Sequence, residues 1–191
     1  GSTVKIMTCL LALENTQLTD EVTMTATGVS GVTDGGASIS SQVDEVFTVE
    51  QCLYAIMVAS ANDIALQIAE HVGGSVDGFV QQMNTRAQEL GCTNTVFTNP
   101  TGLPDDNQHT TAHDMALIMQ AAIQNESFRT IAAATSYTIP ATNKAAARNL
   151  TSKFTMTDTG STGFMKDVSA VRKVIRKPPE VHWYVQPSEM A

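Results

Sequence analysis

Basic side chains are scarce in this 191-residue chain: 11 Lys and Arg stand against 19 Asp and Glu, for a formal net charge of −8. A protein that neutralises phosphates needs a basic surplus, so the balance argues against a nucleic-acid partner. Long apolar runs are missing as well. No stretch approaches the roughly 18 apolar residues of a spanning helix, so no membrane-spanning segment is expected in the chain. No basic-then-apolar segment that would read as a targeting signal opens it. Cysteine is limited to Cys9, Cys52 and Cys92, at no metal-ligand spacing, and the four histidines form no His-x-x-x-His pair. No metal site and no cofactor are therefore expected, and the cysteines read as free buried thiols acting as small hydrophobes. Internal repeats are absent.

What is present belongs to a folded globular domain: 42% of residues are hydrophobic and 16% charged, and the length suits one domain, or one domain with a small lobe. "STVKIMTCLLALEN" carries apolar residues at 4, 6, 7, 10, 11 and 13, a stripe wide enough for a helix buried on most sides. "DEVTMTA" (20–26) alternates as a short strand, and the Gly/Ser-rich "GVSGVTDGGASIS" (28–40) reads as loop. "TVEQCLYAIMVAS" (48–60) opens with Thr48 and Gln51 in capping-box spacing. "NDIALQIAEHVGG" (62–74) restarts with Asn62 as an N-cap candidate. An amphipathic helix follows over 75–91, then a turn-rich loop over 98–108, helices over 110–125 and from 126, and a strand over 136–141. The middle is helix-rich, which suits the helical half of an α+β fold.

The last stretch differs in composition. Residues 165–191 hold 5 of the 11 basic residues, 3 of the 6 prolines and the single Trp, with neither helical nor strand periodicity.

Two short patterns carry chemistry. Ser2 and Lys5 lie three apart at the start of a helix, so both project from one face of its first turn. A serine hydroxyl is a poor nucleophile near neutral pH and needs an adjacent base. A lysine can be that base if burial and a neighbouring cation lower its pKa. The second pattern is Ser60-Ala61-Asn62, a polar triplet inside an apolar run. By itself it reads as a helix boundary. Beside Ser2 and Lys5 it supplies a hydroxyl to relay a proton and an amide to hold a substrate amide. Ser-x-x-Lys with Ser-x-Asn is the combination found in β-lactamases and penicillin-binding proteins.

The segments "STVKIMTCLLALE", "TVEQCLYAIMVASANDIALQIAEHVGGSVDGFVQQMN", "ELGCTNTVFTNPTGLPDDNQHTTAHDMALI" and "SYTIPATNK" resemble, in that order, the low-molecular-weight penicillin-binding D-alanyl-D-alanine carboxypeptidases. The resemblance covers about residues 2–164. It implies an α+β fold, the helix-rich part of a penicillin-binding/β-lactamase-like transpeptidase, with sheet strands mostly missing at both chain ends. It implies Ser2 as the acyl-accepting nucleophile, Lys5 as its base, Ser60 as a proton shuttle and Asn62 as a substrate-binding residue. The implied substrate is a peptidoglycan stem peptide, with β-lactams as covalent inhibitors and an extracytoplasmic location.

The family's third motif, Lys-Thr-Gly, is absent as written. Asp158-Thr159-Gly160 and Ser161-Thr162-Gly163 carry no cation and read as loop. Shifted by one reading frame, the codons available to 164–191 permit Tyr-Glu-Gly, Gly-Gly-Lys, Gly-Tyr-Thr, Leu-Val and Arg-Asp-Gly. That is the order of the family's strand region, with the motif threonine excepted. The expectation is a catalytic domain over 1–164, truncated, and an out-of-frame tail over 165–191, with activity impaired. Resequencing across residue 164 tests it: an uninterrupted frame with no trace of the alternative product would overturn it. Two other readings compete. One is a non-catalytic helical remnant. The other is a class A β-lactamase relative, disfavoured because Ala61 replaces the expected Asp and no Glu-x-x-x-Asn element is found.

Overall fold

The computed structural model describes residues 1–33 and 35–152. The boundary at 164, the two Gly-ending triplets and the tail over 165–191 lie outside the described residues.

The chain begins with a 3-10 turn, Ser2–Val4, that runs directly into α1, Lys5–Asn15. Of the apolar stripe read from the sequence, Val4, Met7, Leu10 and Leu11 are buried and Ile6 and Leu13 partly so, while Cys9 and Ala12 between them are buried as well. Removing a side chain such as Met7 or Leu10 from water contributes about 1.5–3 kcal/mol. A first strand, β1 (Glu21–Thr23), pairs antiparallel with β2 (Val46–Thr48), Val22 opposite Phe47. Thr48 ends that strand and caps α3, Val49–Ala59, with the expected capping box: Gln51 N donates to Thr48 Oγ1 at 3.2 Å, and Thr48 N to Gln51 Oε1 at 3.0 Å. After a two-residue break come α4 (Asn62–Gly73) and α5 (Val76–Glu89). Helices α6 (Ala112–Ala122) and α7 (Glu126–Ala132) follow. Strands β3 (Ser136–Ile139) and β4 (Arg148–Thr151) form a hairpin with Tyr137 opposite Leu150.

Two helices occupy the middle. α1 packs against α3, α4, α5, α6 and α7, while α4 packs against α1, α3, α5 and a short helix α2, Ala26–Ser30. The β3–β4 hairpin lies on α3, where Tyr54 and Tyr137 stack at 3.9 Å and 6°. The α+β class is therefore observed, among the described residues as two separate two-stranded sheets beside a helical body.

Three local expectations need correction. The span 28–40 is not all loop, because a short helix α2, Ala26–Ser30, occupies its start. Thr25 caps it, and the Thr25 and Thr27 hydroxyls donate to Glu70 on α4. These are polar tethers with no hydrophobic periodicity to announce them. The strand expected over 20–26 shrinks to 21–23 for the same reason. Strands β2 and β4 went unread; β2 is three residues long, and β4 buries only Leu150. Finally, Asn62 is not the N-cap of α4. Ala61 is, and the Asn62 side chain is turned to another task.

Candidate active site

The N-terminal ends of the two central helices meet. Ser2 is the first residue of the 3-10 turn, which closes through Val4 N donating to Gly1 O at 3.1 Å. Lys5 is the first residue of α1 and only 2% exposed. Its Nζ donates to Asn62 Oδ1 at 2.8 Å and to the Thr101 carbonyl at 2.6 Å. An ammonium has donors only, so the oxygen of the Asn62 amide must face it.

Ser60 ends α3 in the left-handed conformation, φ 58 and ψ 33. For a residue with a Cβ this costs roughly 1–2 kcal/mol, and such strain clusters at functional positions. The turn directs the Ser60 hydroxyl to Ser2, where it donates to Ser2 Oγ at 3.0 Å. All four residues picked out in the sequence thus converge: Ser2 with Ser60, and Lys5 with Asn62.

The loop over 98–108 forms the seat beneath them. Asn99 Oδ1 accepts from Thr101 N at 3.2 Å, Thr101 Oγ1 at 3.0 Å and Gly102 N at 2.7 Å. Asn99 Nδ2 donates to Leu103 O at 3.1 Å, and Thr8 Oγ1 on α1 donates to Pro100 O at 2.8 Å. These bonds aim the Thr101 carbonyl at Lys5. Gly102 has φ +79 and lies against the Gly1–Ser2 peptide so closely that a Cβ there would come within 2.0 Å of Gly1 O and 3.1 Å of Ser2 N. Sequence reasoning saw turn chemistry in this loop but missed Thr101 and Gly102 as parts of the site. No residue-type pattern reports which backbone carbonyl a distant lysine will find.

The thiols stay out of this chemistry. Cys9, one helical turn beyond Lys5, is pushed up to about 12 by burial, with the nearby Lys5 charge acting in the opposite direction. Burial, and then the Asp63 carboxylate, push Cys52 up as well. Both are protonated near neutral pH and lack the thiolate that reacts. The three cysteines are free and buried, as expected. Among the described residues no group of His, Cys, Asp or Glu is arranged to hold a metal, and no helix is long and apolar enough to cross a membrane.

A peptidase family model described as D-alanyl-D-alanine carboxypeptidase matches residues 1–170. The D-alanyl-D-alanine carboxypeptidase DacF of Bacillus subtilis is 37% identical over 132 residues, covering 66% of this chain and 33% of that protein. DacB2 of Mycobacterium tuberculosis, of the same description, is 35% identical over 148 residues, covering 75% of this chain and 48% of its own length. The chain thus spans between a third and a half of these curated relatives. The crystal structure of a D-alanyl-D-alanine carboxypeptidase from M. tuberculosis superposes with a TM-score of 0.71 at 28% identity, covering 80% of this chain and 56% of that one. With the matched span and the fold in agreement, the chain belongs to the D-alanyl-D-alanine carboxypeptidase family.

Proposed function

We propose that residues 1–164 carry the acylation half of a serine D-alanyl-D-alanine carboxypeptidase. Ser2 Oγ attacks the carbonyl carbon between the two terminal D-Ala residues of a peptidoglycan stem peptide. The observation that carries this reading is the Ser60–Ser2 contact at 3.0 Å beside a buried Lys5 held by Asn62 and Thr101.

Each residue has a task that its position supports. Lys5 in its neutral form takes the Ser2 proton as the Oγ–C bond forms. Ser60 passes a proton to the departing amine as the C–N bond breaks and is reprotonated at the expense of Lys5, so D-Ala leaves, Lys5 is neutral again and an ester on Ser2 remains. Water then hydrolyses the ester. The Lys5 contact fixes the orientation of the Asn62 amide, whose NH2 end is the donor that a stem-peptide carbonyl requires. The Ser2 backbone N–H, at the start of a helix, serves the developing oxyanion. A β-lactam enters the same route and stays as the ester. This substrate lies outside the cytoplasmic membrane, which supports an envelope or secreted location.

The sequence holds no Lys-Thr-Gly. Losing one oxyanion donor costs about 10²–10³ in rate, so the residues present, acting without that motif, are expected to be weakly active or inactive.

Intact mass after incubation with benzylpenicillin tests this, with Ser2→Ala as control. The expected result is a covalent adduct that the mutant loses. A folded protein that forms no adduct would show that the four residues mark ancestry alone.

A further inference from the structure

Asp63 is fully buried, and the reaction described above does not use it. Among the described residues, its carboxylate gathers donors from one segment. Ser38 Oγ and Ser41 Oγ each donate to Oδ2 at 2.8 Å, and Ser41 N donates to the same oxygen at 3.1 Å. Ile39 N reaches Oδ1 at 3.4 Å. The segment returns the contact one residue earlier, where Ala37 O accepts from Asn62 N at 2.7 Å. Residues 37–41 and the first turn of α4 are therefore laced together in both directions, around the amide that holds Lys5.

Two further observations show that this peptide is located from outside its own helix. Gly31 presses on it so closely that a Cβ there would lie 2.7 Å from Asp63 N and 2.9 Å from the Asn62 carbonyl carbon. The far end of the segment is bolted to the hairpin: Arg148 Nη1 and Nη2 donate to Glu45 at 2.7 and 3.0 Å, and Gln42 N donates to Glu45 Oε2 at 3.0 Å.

We propose that Asp63 is a positioning residue of the site: through Ser38 and Ser41 it holds segment 37–41 on α4, and that segment sets the backbone of Asn62 and hence its grip on Lys5. The proposal deepens the acylation reading and, for its rate consequence, rests on it. A carboxylate suits the place because it is an acceptor only, with about four lone-pair sites on its two oxygens, where a hydroxyl offers two and an alkyl group none.

The test uses Asp63→Ala, Asp63→Asn and the double variant Ser38→Ala/Ser41→Ala. The double variant removes the same hydroxyl donors while leaving α4 unaltered. Asparagine keeps an oxygen for the Ser38 and Ser41 donors. Two quantities are read on protein shown to be folded: hydrogen exchange of the Asn62 backbone amide, and the limiting acylation rate with a fluorescent penicillin, separated from its apparent affinity. Loss of the lacing should speed Asn62 exchange by about 10-fold or more in Asp63→Ala and in the double-serine variant. A displaced contact group should lower the limiting acylation rate by about 10- to 100-fold, and Asp63→Asn should recover most of both losses. A merely structural carboxylate would lower the melting temperature and leave both readouts unchanged, which overturns the proposal. If the unsubstituted protein forms no adduct, the acylation reading fails, and the exchange of Asn62 still decides the positioning role.

Discussion

The Ser60 hydroxyl donates to the Ser2 hydroxyl at 3.0 Å while its own backbone is left-handed, at φ 58. Chemistry and strain are thus carried by one residue, and two substitutions separate them. Ser60→Ala and Ser60→Gly both remove the hydroxyl, so both should slow acylation by about 10²–10⁴, the usual range for a lost proton-transfer group. Only glycine relieves the backbone, so the glycine variant should be the more stable by roughly 1–2 kcal/mol. Denaturant titration and penicillin labelling of the two variants, side by side, check both halves.

Gly102 tests the seat of the nucleophile. Its φ of +79 and the 2.0 Å approach to Gly1 O leave no room for a methyl group. Gly102→Ala should cost about 1–3 kcal/mol in backbone strain alone, and it must push the Ser2 turn aside as well. A misplacement of 1 Å can cost about 10²-fold in rate. The measurement is the acylation rate of the folded fraction against the melting curve. A variant that labels at the unsubstituted rate would show that the turn is held elsewhere.

The Glu45–Arg148 pair sets a pH dependence. Burial pushes the Glu45 carboxyl upward. The Arg148 guanidinium, the Thr142 hydroxyl and the Gln42 amide outweigh it and hold the group below its ordinary 4.5. A carboxylate depressed on folding lends stability that is complete above the unfolded value and is lost as pH falls through the folded one. Arg148→Gln leaves a buried charge poorly paired, and breaking such a pair costs about 3–5 kcal/mol. The melting-temperature gap between the two proteins should therefore be widest near neutral pH and should narrow as pH falls below the ordinary 4.5 and through the lowered value of the folded protein. A gap that stays constant down to acid pH would remove Glu45 from this role.

The parts of this molecule that were legible in its sequence are those whose cause is local. Thr48 and Gln51 sit at capping-box spacing and make both bonds of the box. Ser2 and Lys5 share a face because three residues make nearly one turn. The apolar stripe of α1 is as buried as its width implied. Ser60 and Asn62 became visible only through the pairing of one short pattern with another. What stayed hidden is held by contacts between distant segments. The carbonyl of Thr101 serves Lys5, yet every residue carries a carbonyl, so nothing in its side chain announces the task. Asp63 looks like any acidic residue in a helix's first turn until Ser38 and Ser41 arrive from another segment. Asn62 has the side chain of a cap, but Lys5 competes for its oxygen and wins.

Two acceptors of the lysine, Asn62 and Thr101, lie 57 and 96 residues further along the chain. Synthesis runs from the other end. Ser2 and Lys5 leave the ribosome first, and at about 5–20 residues per second some seconds pass before Thr101 follows. Throughout that interval the nucleophile exists and its seat does not, so a nascent chain should be blind to penicillin until the loop over 98–108 has emerged and packed. Labelling by the drug then becomes a clock for folding: it reads the moment when the slowest, longest-range contacts of the domain close.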